Sequence, residues 1–309
     1  MSRSELSVCE ELKLSIAESY EKLIQRFCEL AKERVDIRAG AVIGSRARLD
    51  HPADEWADLD LVIVTTNPEF YLSTTDWVNE LGKPLLTFIE PTATGGEKER
   101  RVLFERMMDV DFAIMPAVRN QKLLMATENK QDMMQIANVV ARGMRILIDK
   151  DSMLTKLQSF VDTMEKPAPK KPAPHEFLEL VSDFLYHAVF TAKHLKRGEL
   201  WWTVVCLDCY LQDLMKTMIE WHALAVHSEH YDTWFHGRFL EEWAEPKVTS
   251  ELHNTFAHYD NEDIKCSLLA SMNLFRRIAI ETANKLNYAY PTETDEQIRK
   301  WIEKTLEKK

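Results

Sequence analysis

The protein has 309 residues, of which 45% are hydrophobic and 29% are charged, and its formal net charge is -11. The sequence lacks the run of about 20 apolar residues that a membrane span needs, and its acidic balance argues against a nucleic-acid partner bound through phosphates. The amino terminus also lacks the apolar segment of a secretion signal. We therefore expect a cytoplasmic protein, without a membrane partner, whose five cysteines are free thiols.

The first part of the chain combines helical and strand patterns. Apolar residues recur at helical spacing and predict an amphipathic helix within residues 5–34, and a shorter helix is predicted over Thr74–Leu81. A turn is expected at residues 92–97. Short β-branched and aliphatic runs predict strands at Val35–Ile43, Leu59–Val64, Pro84–Ile89, Arg101–Met107 and Val110–Met115. This part is predicted to be a mixed sheet with helices.

A change of composition predicts a boundary between two domains. Residues 121–149 return to a helical pattern, but the prolines of KPAPKKPAP at 166–174 can continue neither a helix nor a central strand. Beyond them, apolar positions at spacings of three and four predict an all-α bundle. We expect a first domain at 1–165, a linker at 166–174 and a helical domain at 175–309, which together make an α+β protein. Some aromatic residues of the bundle are predicted by default to lie in its core, although aromatic faces can also stack on adenine or a sugar; these are Trp201, Trp202 and Tyr210.

Two carboxylates stand at the start of a predicted buried strand in AVIGSRARLDHPADEWADLDLVIV, residues 41–64. Side chains two apart in a strand point to the same face, so Asp58 and Asp60 lie together while Leu59 and Leu61 face the other way. Ionised carboxylates are costly away from water and repel each other. A divalent cation would neutralise them, and Mg²⁺ prefers oxygen ligands, often together with substrate phosphates.

Two further features favour a metal and phosphate site. Gly44 and Ser45 stand where a predicted strand turns into a short helix, and such a turn lets backbone amides approach an anion. Asp111 in the strand VDFAIMP adds a third carboxylate if that strand neighbours the first. The pair Asp58 and Asp60 alone also fits a turn residue followed by a solvent-facing residue of an edge strand. The Gly-Ser step and Asp111 favour the metal site over that alternative.

These motifs resemble those of a known superfamily. Gly44-Ser45, Asp58-Leu-Asp60 and Asp111 together resemble the nucleotidyltransferases, whose fold is shared by DNA polymerase β and the antibiotic adenylyltransferases. Within that superfamily the chain is similar to the aminoglycoside 6-adenylyltransferases, also called streptomycin adenylyltransferases. The similarity covers nearly the whole chain, because it includes VDFAIMP, AKHLKRGELWW (192–202), GRFLEEW (237–243) and the run 255–291.

The resemblance implies that AMP is transferred from ATP to a hydroxyl of an aminoglycoside, with streptomycin as the preferred acceptor. It implies that Asp58 and Asp60 hold Mg²⁺. Asp111 is implied to be the third ligand, the general base for the attacking hydroxyl, or both. Asp109, two residues away on the same face, is a competing candidate for the base.

The resemblance also implies residues that contact the nucleotide. Gly44 and Ser45 are implied to hold triphosphate oxygens, and Arg46 or Arg48 to add positive charge. Lys193 matches a family lysine suited to contact the triphosphate from the helical domain. The alternatives are a solvated helix face for the arginines and an ordinary surface position for Lys193.

Two other functions stay open at this point. The same chemistry fits a different small-molecule or protein hydroxyl, since an acceptor pocket diverges more readily than a nucleotide core. A nucleotide-binding regulator without turnover would also keep the fold, although three carboxylates in the catalytic pattern favour an enzyme.

Overall fold

The structure is a computed structural model, and it describes residues 15–48, 50–92, 96–118, 130–163, 171–227 and 231–307. The chain divides into two compact units, Met1–Pro167 and Ala168–Lys309. Parts of several predicted segments lie outside the described residues, namely residues 5–14, 93–95, 121–129 and 166–170.

The first unit contains helices and strands in alternation along the chain. Its described helices are α1 (Ile16–Glu33), α2 (Pro68–Ser73), α3 (Asp76–Leu81), α4 (Lys130–Ala141) and α5 (Met153–Thr163). Its described strands are β1 (Ile37–Ile43), β2 (Leu59–Thr65), β3 (Pro84–Pro91), β4 (Lys98–Phe104), β5 (Met108–Pro116) and β6 (Arg145–Asp149).

The strands form one mixed sheet in the order β3-β4-β5-β2-β1-β6. β2 and β5 are parallel, while the other neighbouring pairs are antiparallel. Parallel neighbours need a long crossover connection, and here the chain between β2 and β5 supplies α2, α3 and the hairpin of β3 and β4. The predicted mixed sheet with helices is confirmed.

Side chains alternate along each strand, so the apolar core of this unit lies on both faces of the sheet. Leu59 and Leu61 of β2 pack with Phe112 of β5 and with α1, which begins at a capping box between Ser15 and Glu18. Val64, on the opposite face of β2, packs with residues of α4 and α5. Asp60 lies on the same face as Val64, since even-numbered residues of the strand share it.

The helical prediction for residues 121–149 is wrong at its carboxyl end. Helix α4 ends at Ala141, and the apolar run Arg145–Asp149 forms β6, which pairs with β1. Gly143 explains the break, because its φ of +139° lies in a region that other residues rarely adopt. The strand predicted at Arg101–Met107 begins earlier and ends at Phe104.

The second unit is helical throughout its described secondary structure. Its helices are α6 (Pro174–Lys196), α7 (Leu200–Val205), a π-helical turn (Cys206–Leu211), α8 (Gln212–Val226), α9 (Leu240–Trp243), α10 (Pro246–Leu252), α11 (Asn261–Leu286) and α12 (Thr292–Glu307). Phe184 of α6 and Phe275 of α11 stack at 3.7 Å between ring centroids in the shared core. The predicted helical domain is therefore observed, and α6 starts at the last residue of the predicted linker.

The core prediction for three aromatic residues of this unit is wrong. Trp201 is 73% exposed, Trp202 is 53% exposed and Tyr210 is 43% exposed. Their helical spacing places them on the outer side of α7 and the following turn, whereas Thr203, Leu207 and Leu211 face inward.

None of the helices in the described ranges has the length and apolar character that crossing a membrane requires. The cysteines in those ranges, Cys28, Cys206, Cys209 and Cys266, are free, as expected.

Candidate active site

Strand pairing places the candidate site residues in one row across the sheet. Asp60 of β2 lies opposite Ile43 of β1 on one side and opposite Asp111 of β5 on the other. Asp111 in turn lies opposite Arg101 of β4. Paired residues of neighbouring strands project to the same face, so Asp60, Asp111 and Arg101 share one face of the sheet.

The three predicted aspartates converge. One carboxylate oxygen from each of Asp58, Asp60 and Asp111 lies within 4.8 Å of the other two. Asp111 is 8% exposed, and the other two are half-buried. A cluster of oxygen donors alone is the ligand chemistry that Mg²⁺ takes in proteins, so these residues fit a hard divalent cation.

Gly44 makes this convergence sterically possible. It starts a short 3₁₀ turn (Gly44–Arg46) directly after β1, with a φ of +68°. A Cβ atom at this position would lie 2.0 Å from Asp60 Oδ2. Glycine is therefore required here both by the backbone conformation and by the close approach of the carboxylate.

Ser45 contributes a polar atom with unused bonding capacity. Its Oγ is buried and has no hydrogen-bond partner among the described residues. Buried hydroxyls are normally paired, so this group has the capacity for a further hydrogen bond. It lies next to Gly44 and the aspartates, and the phosphate seat predicted from the Gly-Ser step stays a prediction.

Arg101 is a charged neighbour of the cluster that the sequence analysis missed. Its Nη2 lies 3.1 Å from Asp111 Oδ2 and 3.2 Å from Glu99 Oε1, and its Nε forms an ion pair with Glu90. The site face therefore carries two further carboxylates beyond the aspartates. The sequence feature that could have identified Arg101 is its spacing of two residues from Glu99, which places both side chains on one face of a strand. The predicted strand began at Arg101 and therefore left Glu99 out.

Burial and opposing charges set the protonation of Asp111. Burial raises the pKa of the Asp111 carboxyl to about 6, while the nearby Arg101 guanidinium lowers it and the carboxylates of Glu99 and Asp58 raise it. Burial also raises the pKa of Glu99. A bound cation would favour the ionised carboxylates.

The side chain of Arg46 is bound to the backbone beside the aspartates. Its guanidinium donates to the carbonyl oxygens of Ala57 and Asp58, and it lies 3.7 Å from the ring centroid of Tyr20. The Tyr20 hydroxyl donates to Asp109 Oδ1 at 3.1 Å, and burial raises the pKa of Tyr20 to about 12. Asp109 is thus bonded to Tyr20 and lies outside the group of three aspartates.

The remaining predicted nucleotide contacts have different surroundings. Arg48 is 9% exposed, next to a tight backbone approach in which a Cβ at Gly143 would lie 2.4 Å from the Ala47 oxygen. A solvated helix face therefore describes neither arginine. Lys193 lies on α6 in the second unit, with its Nζ 5.7 Å from the ring centroid of Trp301.

The chain is similar to a known family of enzymes along most of its length. The sequence profile of the streptomycin adenylyltransferase family matches residues 17–305. The chain belongs to this family. It is therefore a nucleotidyltransferase, and the resemblance predicted from the motifs is confirmed.

Relatives of this family member are similar along nearly their whole length. An aminoglycoside 6-adenylyltransferase of Bacillus subtilis (strain 168) is 22% identical over 291 residues, which cover 92% of this chain and 97% of the relative. One of Staphylococcus aureus is 22% identical over 271 residues, covering 87% and 93%. The crystal structure of an aminoglycoside 6-adenyltransferase from Bacillus subtilis has 18% identity and a TM-score of 0.42, covering 92% of this chain and 97% of that one.

Proposed function

We propose that this protein is a Mg²⁺-dependent adenylyltransferase that transfers AMP from ATP to a hydroxyl of an aminoglycoside, with streptomycin as the preferred acceptor. The observation that carries the proposal is the convergence of Asp58, Asp60 and Asp111 within 4.8 Å, beside the Gly44-Ser45 turn. The relatives named as aminoglycoside 6-adenylyltransferases support the choice of acceptor class.

The charge of the site face supports a cationic acceptor. Besides the three aspartates, Glu90 and Glu99 lie on this face. Arg101 forms ion pairs with both glutamates and with Asp111. Acidic surroundings favour binding of an amine-rich or guanidine-rich molecule over a neutral or anionic one.

In the proposed reaction, the hydroxyl oxygen of the acceptor attacks the α-phosphorus of ATP. The new bond to phosphorus forms as the bond to the pyrophosphate oxygen breaks, and the hydroxyl proton passes to Asp111. A carboxylate needs only to accept this proton as the oxygen begins to bond to phosphorus, so a strong base is not required. AMP stays on the acceptor, and pyrophosphate leaves.

The chain's own groups have distinct proposed roles in this step. Asp58, Asp60 and Asp111 would hold the divalent cation, which when bound stabilises the negative charge that develops on the phosphate oxygens. The Gly44 amide and the Ser45 hydroxyl would bind triphosphate oxygens. Lys193 is proposed to add a further contact to the triphosphate, whereas Arg46 is proposed to hold the backbone of Asp58 in place.

Mass spectrometry of streptomycin incubated with the protein, ATP and Mg²⁺ tests the proposal directly. We expect a gain of one AMP on the drug, which is lost on chelation of the metal and lost in Asp60→Asn. A circular dichroism spectrum of the variant checks that the fold is intact. If the variant keeps full activity, the metal assignment is wrong.

The same experiment separates the other functions. AMP transfer to a different small molecule or to a protein would keep the chemistry and replace the acceptor. Metal-dependent ATP binding without transfer to any acceptor would favour a nucleotide-binding regulator.

A further inference from the structure

Arg101 shares the carboxylate that completes the aspartate cluster. Its Nη2 lies 3.1 Å from Asp111 Oδ2, while a carboxylate oxygen of Asp111 also belongs to the group within 4.8 Å of Asp58 and Asp60. Arg101 and a divalent cation in the cluster would therefore both be bound by Asp111. Two cations so close to one carboxylate repel each other, and the effect is larger where water is partly excluded.

We propose that Arg101 acts through Asp111: it serves as the counter-ion of that carboxylate and thereby weakens the binding of a divalent cation to the aspartate cluster. This inference rests on the proposed function only in taking the cluster to be the metal site. It is independent of the acceptor and of the nucleotide.

Asp111 does not depend on Arg101 for its place in the site. Its backbone is fixed between Asp60 on β2 and Arg101 on β4 by regular strand pairing, and its side chain is 11% exposed. Removal of the guanidinium would take away the ion-pair partner of the Asp111 carboxylate. The net effect expected is tighter cation binding, because the electrostatic competition is lost and the ligand geometry is retained.

Arg101 also has other partners that can retain it when a cation engages Asp111. Glu90 and Glu99 both form ion pairs with its guanidinium. The Arg101 side chain is 42% exposed, so its replacement does not open a cavity in the core. This arrangement allows the guanidinium to stay on the site face without remaining bonded to Asp111.

The test is a titration of the purified full-length protein with Mn²⁺ alone, with free Mn²⁺ followed by electron paramagnetic resonance. At pH 8, Arg101→Gln is expected to bind Mn²⁺ about tenfold more tightly than the unmodified protein. Arg101→Lys keeps the charge and is expected to stay within about threefold of the unmodified protein. Asp60→Asn identifies the cluster as the binding site, because it should lose most of the binding.

A matched control uses an arginine at the opposite end of the same sheet. Arg38 forms an ion pair with Asp151 near the start of β1, whereas Asp60 pairs with Ile43 at the end of β1. Arg38→Gln makes the same charge change and should leave Mn²⁺ affinity unaltered. When Asp111→Asn is already present, Arg101→Gln should no longer change the Mn²⁺ affinity if its effect depends on direct contact with Asp111.

A variant of Glu90 is expected to change the Mn²⁺ affinity in the direction opposite to Arg101→Gln. Glu90 lies on the edge strand β3, and its side chain is 37% exposed, so Glu90→Gln is expected to fold normally. It removes a competing partner of Arg101 and should weaken Mn²⁺ binding severalfold.

Unchanged or weaker Mn²⁺ binding in folded Arg101→Gln, or undetectable binding in every form, would overturn the inference. Since no nucleotide or acceptor is present, an absence of AMP transfer to streptomycin would leave this result unaffected.

Discussion

Asp60 and Asp111 lie directly opposite each other on the parallel strands β2 and β5. Two carboxylates on one face of a sheet repel each other, and Asp111 is in addition nearly buried. The protein therefore carries a local electrostatic cost at its candidate active site. Arg101 compensates part of it, and a bound cation would compensate more.

The first prediction is that Asp111→Asn stabilises the metal-free protein. The carboxyl pKa of Asp111 is raised to about 6 in the folded state, whereas an unfolded aspartate titrates near its ordinary value of about 3.9. Between these values the folded state binds more protons, so the free energy of unfolding falls as the pH rises through this window. At pH 8, which is above both pKa values, Asp111→Asn should raise the free energy of unfolding by about 2 to 3 kcal/mol.

Urea unfolding in the presence of a chelator, at several pH values, measures this effect. The gain should shrink as the pH falls towards 4, because the folded Asp111 is then protonated and the unfolded aspartate is about half protonated. Asp151→Asn is the control, since a hydrogen bond from Arg38 lowers the pKa of Asp151 and no gain at pH 8 is expected. A variant Asp111→Asn no more stable than the unmodified protein at pH 8 would refute the prediction.

The second prediction concerns the close approach at Gly44. Gly44→Ala should both strain the backbone and displace Asp60, because the added Cβ would lie 2.0 Å from Asp60 Oδ2. We expect AMP transfer to fall by at least about a hundredfold, as misplacement by about 1 Å can have that effect. The measurement is the initial rate of AMP transfer together with the thermal midpoint.

Gly198 provides a matched control for the strain alone. It has a φ of +75°, but an added Cβ meets nothing within 4 Å. Gly198→Ala should therefore lower stability by about 1 kcal/mol with no change in AMP transfer. Equal losses of activity in the two variants would show that the contact with Asp60 is irrelevant.

The third prediction separates ligand binding from folding at Ser45. Because Ser45 Oγ has no hydrogen-bond partner among the described residues, Ser45→Ala should leave the thermal midpoint unchanged. The KM for ATP should rise about tenfold if the hydroxyl bonds a triphosphate oxygen, since a hydrogen bond to a charged group contributes about 1.5 kcal/mol or more.

Ser271 is the corresponding control in the second unit. Its hydroxyl is fully buried and donates to the Thr255 oxygen at 3.2 Å. Ser271→Ala should lower stability by about 1 kcal/mol and leave the KM for ATP as it was. The assignment of Ser45 fails if Ser45→Ala binds ATP normally.

The fourth prediction distinguishes two roles for Arg46. If it holds the backbone of Asp58 through its bonds to the carbonyls of Ala57 and Asp58, Arg46→Gln should lower kcat about tenfold or more and leave the KM for ATP nearly unchanged. If it binds the triphosphate instead, the KM for ATP should rise. Steady-state kinetics over a range of ATP concentrations separates the two.

Arg34 is a suitable comparison for this measurement. Its guanidinium also lies over an aromatic ring, 5.1 Å from the centroid of Phe70, and forms an ion pair with Glu80. Arg34→Gln removes a similar set of contacts away from the aspartates. It should leave both kinetic constants unchanged.

Short-range patterns in the sequence predicted the part of the site that lies within one strand-turn-strand segment. Asp58 and Asp60 share a face because side chains alternate along a strand, and Gly44 and Ser45 precede them in the same segment. The same local rule predicted strands close to the observed β1, β2, β3 and β5. It did not predict β6, whose apolar run forms a strand only because β1 is available to pair with it.

The sequence by itself determined the residue types of the candidate site, the spacing of its first two aspartates and, through its motifs, the family. Only the tertiary structure decided that Asp111 lies beside Asp60, that Arg101 lies beside Asp111, and that Trp201 is exposed on the surface. Side-chain alternation follows from the backbone of each strand alone. Which strands become neighbours, and which helix faces are buried, depends on how apolar surfaces distant in the chain pack together.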